Sequence, residues 1–386
     1  MVKNFGVIFR GRARVAATLT IVMALAAGCG GRTFFSGTTS SSSGGGGGGG
    51  GTGTTRSVYV TNFADGKLSA LSNSSGVPAN PRTIRSGKAG GPLGLAAIPS
   101  KALYVANSAD NEVHEFALTS NGNLSALGTI TAGTNPQQVL VTTDGTAAYA
   151  INSSGSISQY IVNASGALTA NTPASTTSNL TTPISGVLSS STAYITDQGG
   201  GGVVSAFAIN TDGTLGTLLS STLTLGIAGG KPAQITMDTT GSWVFVADAT
   251  SGVVSVFAIQ SNGSLLLNSQ TTALGVAAAG LVFAVTPNGN AFLYVATPSL
   301  NAVQIYAFAA GILTFSTSAT GFAAPIGLAV DNALSAANLF VTNSGSGTVT
   351  GLSIDSTTGL LASVGSSATE NPSNGASSPQ FIVVTS

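Results

Sequence analysis

SVYVTNFADGKLSAL, residues 57–71, sets the reading of the whole chain, because relatives of it return six more times at a nearly constant interval. Each copy joins a β-branched and aromatic run ending in a polar residue, a Gly/Asn/Asp turn, and a second apolar run. The copies are anchored at Tyr59 (YVTN), Tyr104 (YVAN), Tyr149 (YAIN), Tyr194 (YITD), Phe245 (FVAD), Tyr294 (YVAT) and Phe340 (FVTN), and successive anchors lie 45, 45, 45, 51, 49 and 46 residues apart. Strand-like signals with a period in the forties belong to a four-stranded unit repeated radially. The expected fold is all-β: a seven-bladed β-propeller of four-stranded antiparallel blades.

Around each anchor the rest of a blade can be written out. A short apolar inner strand, often after proline, is expected at 93–98, 136–142, 183–189, 232–238, 281–286, 325–330 and 379–385. The anchor forms the second strand. A third strand follows the polar turn, as at 113–118, 203–209, 253–259 and 303–308. A second turn, at Asn121-Gly122, Asp212-Gly213, Asn262-Gly263 and Gly359, then leads to an outer strand such as 124–130. Asn-Gly and Asp-Gly accept the positive φ that tight hairpins require. The first repeat starts directly at its second strand, while the last segment, PQFIVVT, resembles the inner strand PQQVLVT. The C-terminal strand is therefore expected to join the first blade, which would close the ring and remove free sheet edges.

Ahead of the repeats, residues 1–29 read as a targeting segment. Lys3, Arg10, Arg12 and Arg14 precede an apolar run at 15–27 that falls short of the roughly 20 residues needed to span a bilayer. Leu25-Ala26-Ala27-Gly28-Cys29 resembles a bacterial lipoprotein signal, which would leave Cys29 lipidated and the body held to a membrane outside the cytoplasm, in the periplasm or at the cell surface. Ordinary cleavage near Ala27 would instead leave a free thiol. Cys29 is the only cysteine, so no intrachain disulfide can form. Residues 30–55 contain SSSSGGGGGGGG and bury nothing, the composition of a flexible tether. The propeller is expected over 56–386.

Charged residues make up only 6% of the chain, with one histidine, and every arginine lies at or before Arg85. That charge set offers no nucleic-acid footprint and no polybasic face. In a propeller the turns between second and third strands open on the same face as the connections from outer to next inner strand, and ligands bind where such loops converge. The residues of interest on that face are Asp65, Lys88, Asp110, Glu112, Asp197, Lys231 and Asp248. Each acid has two readings: a turn side chain capping local amides, or part of a ring of carboxylates suited to hydroxylated ligands or a hard cation. No loop has the D-x-D-x-D spacing of a calcium site, and no His/Cys cluster or Ser-His-Asp spacing is present, so neither a metal nor another cofactor is expected. His114 takes a third-strand position held elsewhere by Ser69, Ser158, Ser205, Ser255, Gln304 and Thr350, and a packed pair with Glu115 is expected rather than a catalytic base. Trp243 reads as core.

The repeats resemble the YVTN-repeat and lactonase-type seven-bladed propellers, the group that includes 6-phosphogluconolactonase-like proteins. The resemblance is carried by Tyr59-Val60-Thr61-Asn62, by Tyr104-Val105-Ala106-Asn107 with Asn121-Gly122-Asn123-Leu124, and by Val244-Phe245-Val246 with Asn262-Gly263-Ser264-Leu265. It implies a lactone hydrolase with His, Arg and acidic side chains in the central channel. This chain has no arginine beyond Arg85 to clamp a phosphorylated sugar, so no catalytic residue transfers. The sequence favours a monomeric, lipid-anchored binding module for a neutral glycan, a cell-wall component or a protein loop. Lactone hydrolysis in the channel is the alternative, and a structural display platform a third reading.

Overall fold

Alternating side chains along a β-strand normally give one buried and one wet face, but the second strand of each repeat is buried on both. In Ala102–Asn107 all six residues are buried. Leu103 and Val105 pack with Tyr59 and Leu68 of the preceding repeat, whereas Tyr104 and Ala106 pack with Val139 and Ala148 of the following one. A sheet with two apolar faces needs a neighbour on each side, and a closed ring supplies this to every blade.

The structure, a computed structural model, describes residues 56–176, 179–225, 229–331, 337–370 and 378–385. Cys29, the targeting segment at 1–29 and the tether at 30–55 lie outside the described residues. The described chain forms seven four-stranded antiparallel sheets. The inner strands are Pro92–Ile98, Pro136–Val141, Pro183–Leu188, Pro232–Met237, Leu281–Val285, Pro325–Asp331 and Pro379–Thr385. Their neighbours touch all the way round, including the contacts of the last with the first and the sixth. Blade 1 is composite: Pro379–Thr385 pairs antiparallel with Arg56–Asn62, which continues into Lys67–Ser74 and Val77–Arg85. An apolar cluster fills each of the seven seams between blades. Trp243 is only half-buried there, edge-on to Phe308 at 5.9 Å.

The conserved-looking letters of the anchor have separate physical roles. The tyrosine bolts one blade to the next: the Tyr59, Tyr104, Tyr149 and Tyr294 hydroxyls donate to the carbonyls of Gly122, Gly166, Gly213 and Gly359 at 2.8, 2.6, 2.8 and 2.9 Å. Each acceptor lies in the tight turn between third and outer strands of the following blade, at a glycine whose φ is positive. The threonine answers a different need. Most inner strands carry a bulge just after the leading proline, which displaces a backbone N–H from the ladder. In blades 4 and 7 the buried hydroxyls of Thr196 and Thr342 accept from Ser185 N at 3.1 Å and Gly327 N at 2.7 Å, and in blade 1 Thr61 accepts from Phe381 N at 3.2 Å.

Replacing such a hydroxyl with a methyl keeps the volume but strands a buried donor, which costs about 1–3 kcal/mol. Thr196→Val is expected to lose about that much in urea unfolding at unchanged m-value. A midpoint equal to wild type would show that the bulge amide is satisfied another way.

Candidate functional site

Backbone hydrogen bonds confirm which loops share a face. Gly90 N donates to Phe63 O at 2.6 Å, Ser108 N to Gly91 O at 2.8 Å and Phe63 N to Ser378 O at 3.0 Å, so turns between second and third strands interlock with the connections between blades. The last residues of the second strands, Asn62, Asn107, Asn152, Asp197, Asp248, Thr297 and Asn343, are all nearly inaccessible, and Asn107, Asp197, Asp248 and Asn343 staple the turn to the connection beside it.

Asp197 and Asp248 belong to this stapling set. Asp197 accepts from the amides of Thr181, Thr182 and Gly199 at 2.7, 2.7 and 2.8 Å. Asp248 accepts from those of Lys231, Ser251 and Thr250 at 2.6, 2.7 and 3.0 Å. Lys231 thus meets Asp248 through its backbone. Both carboxylates are spent on loop amides, the same work that neutral Asn107 and Asn343 perform in blades 2 and 7.

The other residues of interest gather in the sector of blades 7, 1 and 2. Asp65, in the blade 1 turn, caps Lys67 N at 3.1 Å and lies 2.8 Å from Lys67 Nζ. Lys67 Nζ also donates to Glu370 Oε2 at 3.1 Å. Glu370 comes from the connection leaving blade 7, and its side chain is 3% exposed. The Asp65 and Glu370 carboxyls hydrogen-bond to each other, and Glu370 Oε1 is buried without another partner. Burial, then the contact with Asp65, pushes Glu370 up to about 7. Burial also acts upward on Asp65, but the hydrogen bonds from Glu370 and Lys67 outweigh it and hold Asp65 below the usual carboxylate range. The shared proton therefore sits on Glu370, and Lys67, bonded to both acids, keeps its own proton more firmly than a free lysine. Glu370 is missing from the residues expected from sequence. Its signal was present: among the described residues it is the one acid in a connection between blades.

Blade 2 carries a second cluster one seam away. The blade 1 turn reaches it closely, since a Cβ on Gly66 would stand 2.7 Å from Gly87 O and 2.8 Å from Ala89 N. Lys88 N is 3.4 Å from Asp110 Oδ2. His114 Nε2 is 3.0 Å from Asp110 Oδ2 and 3.7 Å from Glu112 Oε2. The sequence expectation of no metal-ligating cluster rested on loop spacing, and the fold nonetheless places one donor atom from each of these three residues within 4.8 Å of the others.

The expected His114–Glu115 pair does not form, because adjacent residues of a strand face opposite seams. Glu115 lies opposite Tyr104 and accepts from Leu168 N of blade 3 at 2.9 Å, whereas His114 lies opposite Val105 and faces blade 1. In the next blade neutral Gln159 makes the corresponding bond to Leu215 N, so the bond needs no charge. A cleft of about 140 Å³ lined by Ser57, Ala70, Arg82 and Asn121 opens at the other end of blades 1 and 2 and contains neither cluster.

These features define a seven-bladed propeller with its charged side chains concentrated over one sector of the loop face. The family described as a seven-bladed β-propeller lactonase matches residues 187–280, covering most of blade 4, all of blade 5 and the connection that follows it. None of the curated proteins matches the chain in sequence. Among solved structures, a Bacteroides fragilis protein proposed to be a 6-phosphogluconolactonase is 18% identical, with a TM-score of 0.69 over 86% of this chain and 98% of that one. The periplasmic gluconolactonase of Pseudomonas aeruginosa is 16% identical, with a TM-score of 0.66 over 86% and 99%. At these identities the likeness is one of fold.

Proposed function

We propose that this chain is a lactone hydrolase acting on neutral sugar lactones, tethered outside the cytoplasm through a lipid on Cys29. The observation that carries the reading is the Asp65–Lys67–Glu370 cluster: a carboxyl titrating near neutrality, a neighbouring carboxylate that shares its proton, and an ammonium in contact with both. A general base works best with a pKa near the working pH. The lactonase match at 187–280 and the fold shared with a periplasmic gluconolactonase support the same chemistry. Ionised Glu370 would take a proton from water as its oxygen bonds to the lactone carbonyl carbon. Lys67 Nζ would donate to the resulting alkoxide. Collapse would re-form the carbonyl and break the bond to the ring oxygen, which leaves with the proton from Glu370 and yields the open hydroxy acid. A neutral substrate suits a cluster whose ammonium, Lys67, is already committed to two carboxylates. The binding-module reading would need a neutral, amide-lined mouth, and the amide side chains that end the second strands, Asn62, Asn107, Asn152 and Asn343, are buried.

The test is hydrolysis by the purified chain of an unphosphorylated aldonolactone and of its 6-phosphate. Turnover of the neutral lactone is expected, with no preference for the phosphate, and Lys67→Gln is expected to lower kcat about a hundredfold. Turnover no faster than the uncatalysed rate would reject the hydrolase and return the chain to glycan binding.

A further inference from the structure

We propose that Asp110, Glu112 and His114 form a binding site for a divalent transition-metal cation of the Zn²⁺ type on the loop face of blade 2. The repeat itself provides the comparison. By strand register, Asn107–Glu112 and Val105–His114 in blade 2 correspond to Asn62–Lys67 and Val60–Ser69 in blade 1. Asp110 therefore corresponds to Asp65, Glu112 to Lys67 and His114 to Ser69. In blade 1 the turn carboxylate is neutralised by the chain's own ammonium, 2.8 Å away. In blade 2 that ammonium is replaced by a second carboxylate, and the small hydroxyl by an imidazole. Negative charge and a nitrogen donor are thus gathered where the sister blade has a built-in cation.

The geometry fits such an ion. Glu112 and His114 are two apart on one strand and share a face, and Asp110 comes over them from the turn, where Asn111 adopts a left-handed φ of 61°. Two ligands of a tetrahedral ion about 2.1 Å from each are about 3.4 Å apart, between the two separations found here. The Nε2 to Oδ2 and Nε2 to Oε2 separations are 3.0 and 3.7 Å. Asp110 Oδ1 is buried with no hydrogen-bond partner, leaving the carboxylate with an unanswered oxygen in a side chain only 11% exposed. Imidazole with two carboxylates suits first-row divalent ions, and three protein ligands leave positions open for water or substrate. The inference is independent of the lactone reading, which uses blades 1 and 7.

The probe is Zn²⁺ alone, titrated calorimetrically at pH 7.5 into the full-length chain without a histidine tag. One equivalent is expected to bind, and binding is expected to weaken on acidification, because protons compete with the ion for its ligands. His114→Ser installs the residue that four other blades carry at this position, and Glu112→Lys installs the blade 1 ammonium. Both should keep the wild-type melting temperature in the absence of metal and weaken Zn²⁺ binding at least tenfold. Any binding by Cys29 survives in both variants and is subtracted by the comparison. Equal affinity in wild type and His114→Ser, or no wild-type binding at 1:1 stoichiometry, overturns the site.

Discussion

Glu370→Gln is expected to reduce lactone turnover by about a hundred- to ten-thousandfold, the range for loss of a positioned general base, while the propeller stays folded. Glutamine preserves the shape and can still donate to Asp65, so it imitates the protonated acid. In the wild type, kcat/KM should rise with pH through about 7 as Glu370 ionises. Stability should move the other way. The folded state holds this proton up to about 7, whereas an unfolded chain releases it near the ordinary value of 4.5. Between those limits the native protein binds more protons than the unfolded one, so the contribution is present at low pH and is lost as pH rises through about 7. Melting temperatures at pH 5 and pH 8 should therefore differ less for the glutamine variant than for wild type. Unchanged turnover with an unchanged difference in melting temperature would remove Glu370 from the chemistry and from the shared proton alike.

Removing residues 379–386 is expected to abolish cooperative unfolding, because one short strand completes three contacts at once. Val384, Val383 and Ile382 pair with Val58, Tyr59 and Val60. Phe381 and Val383 pack into the seam with blade 2, and Ile382 packs into the seam with blade 7. Without the strand, Arg56–Asn62 becomes a long apolar edge of the kind that recruits other chains. The truncated protein should aggregate at micromolar concentration. Phe381→Ala, which keeps the strand and empties one buried position, should cost about 3–5 kcal/mol, a large share of the roughly 5–15 kcal/mol of a typical domain. A truncated chain that unfolds at the wild-type urea midpoint would show that closure contributes no stability.

The fold was legible because its signals are local and repeated. The leading prolines and following apolar runs marked the inner strands to within a residue or two, as in Pro232–Met237 and Pro379–Thr385. The terminal PQFIVVT could be matched to its partner because another blade carries its near copy. The site was less legible. Asp65, Lys88 and Asp110 were recognisable as turn or connection residues, and Glu112, Asp197 and Asp248, which the sequence placed in the turns, end strands beside them. Nothing in the local sequence separates the acids whose oxygens are consumed by loop amides from those that retain a buried oxygen to share. That distinction depends on how closely the connection from the preceding blade approaches each turn.

The sequence alone determined the strand period, the seven blades, the glycine turns and the order in which the ends meet, since each follows from backbone preferences and side-chain alternation within about 45 residues. Only the tertiary structure decided that Glu370 meets Lys67 from 303 positions away, and that His114 turns toward Asp110 rather than Glu115. The first is a contact across the closing seam, which has no local signature. The second follows from the opposite facing of neighbouring residues on a strand, whose chemical consequence depends on what each seam contains.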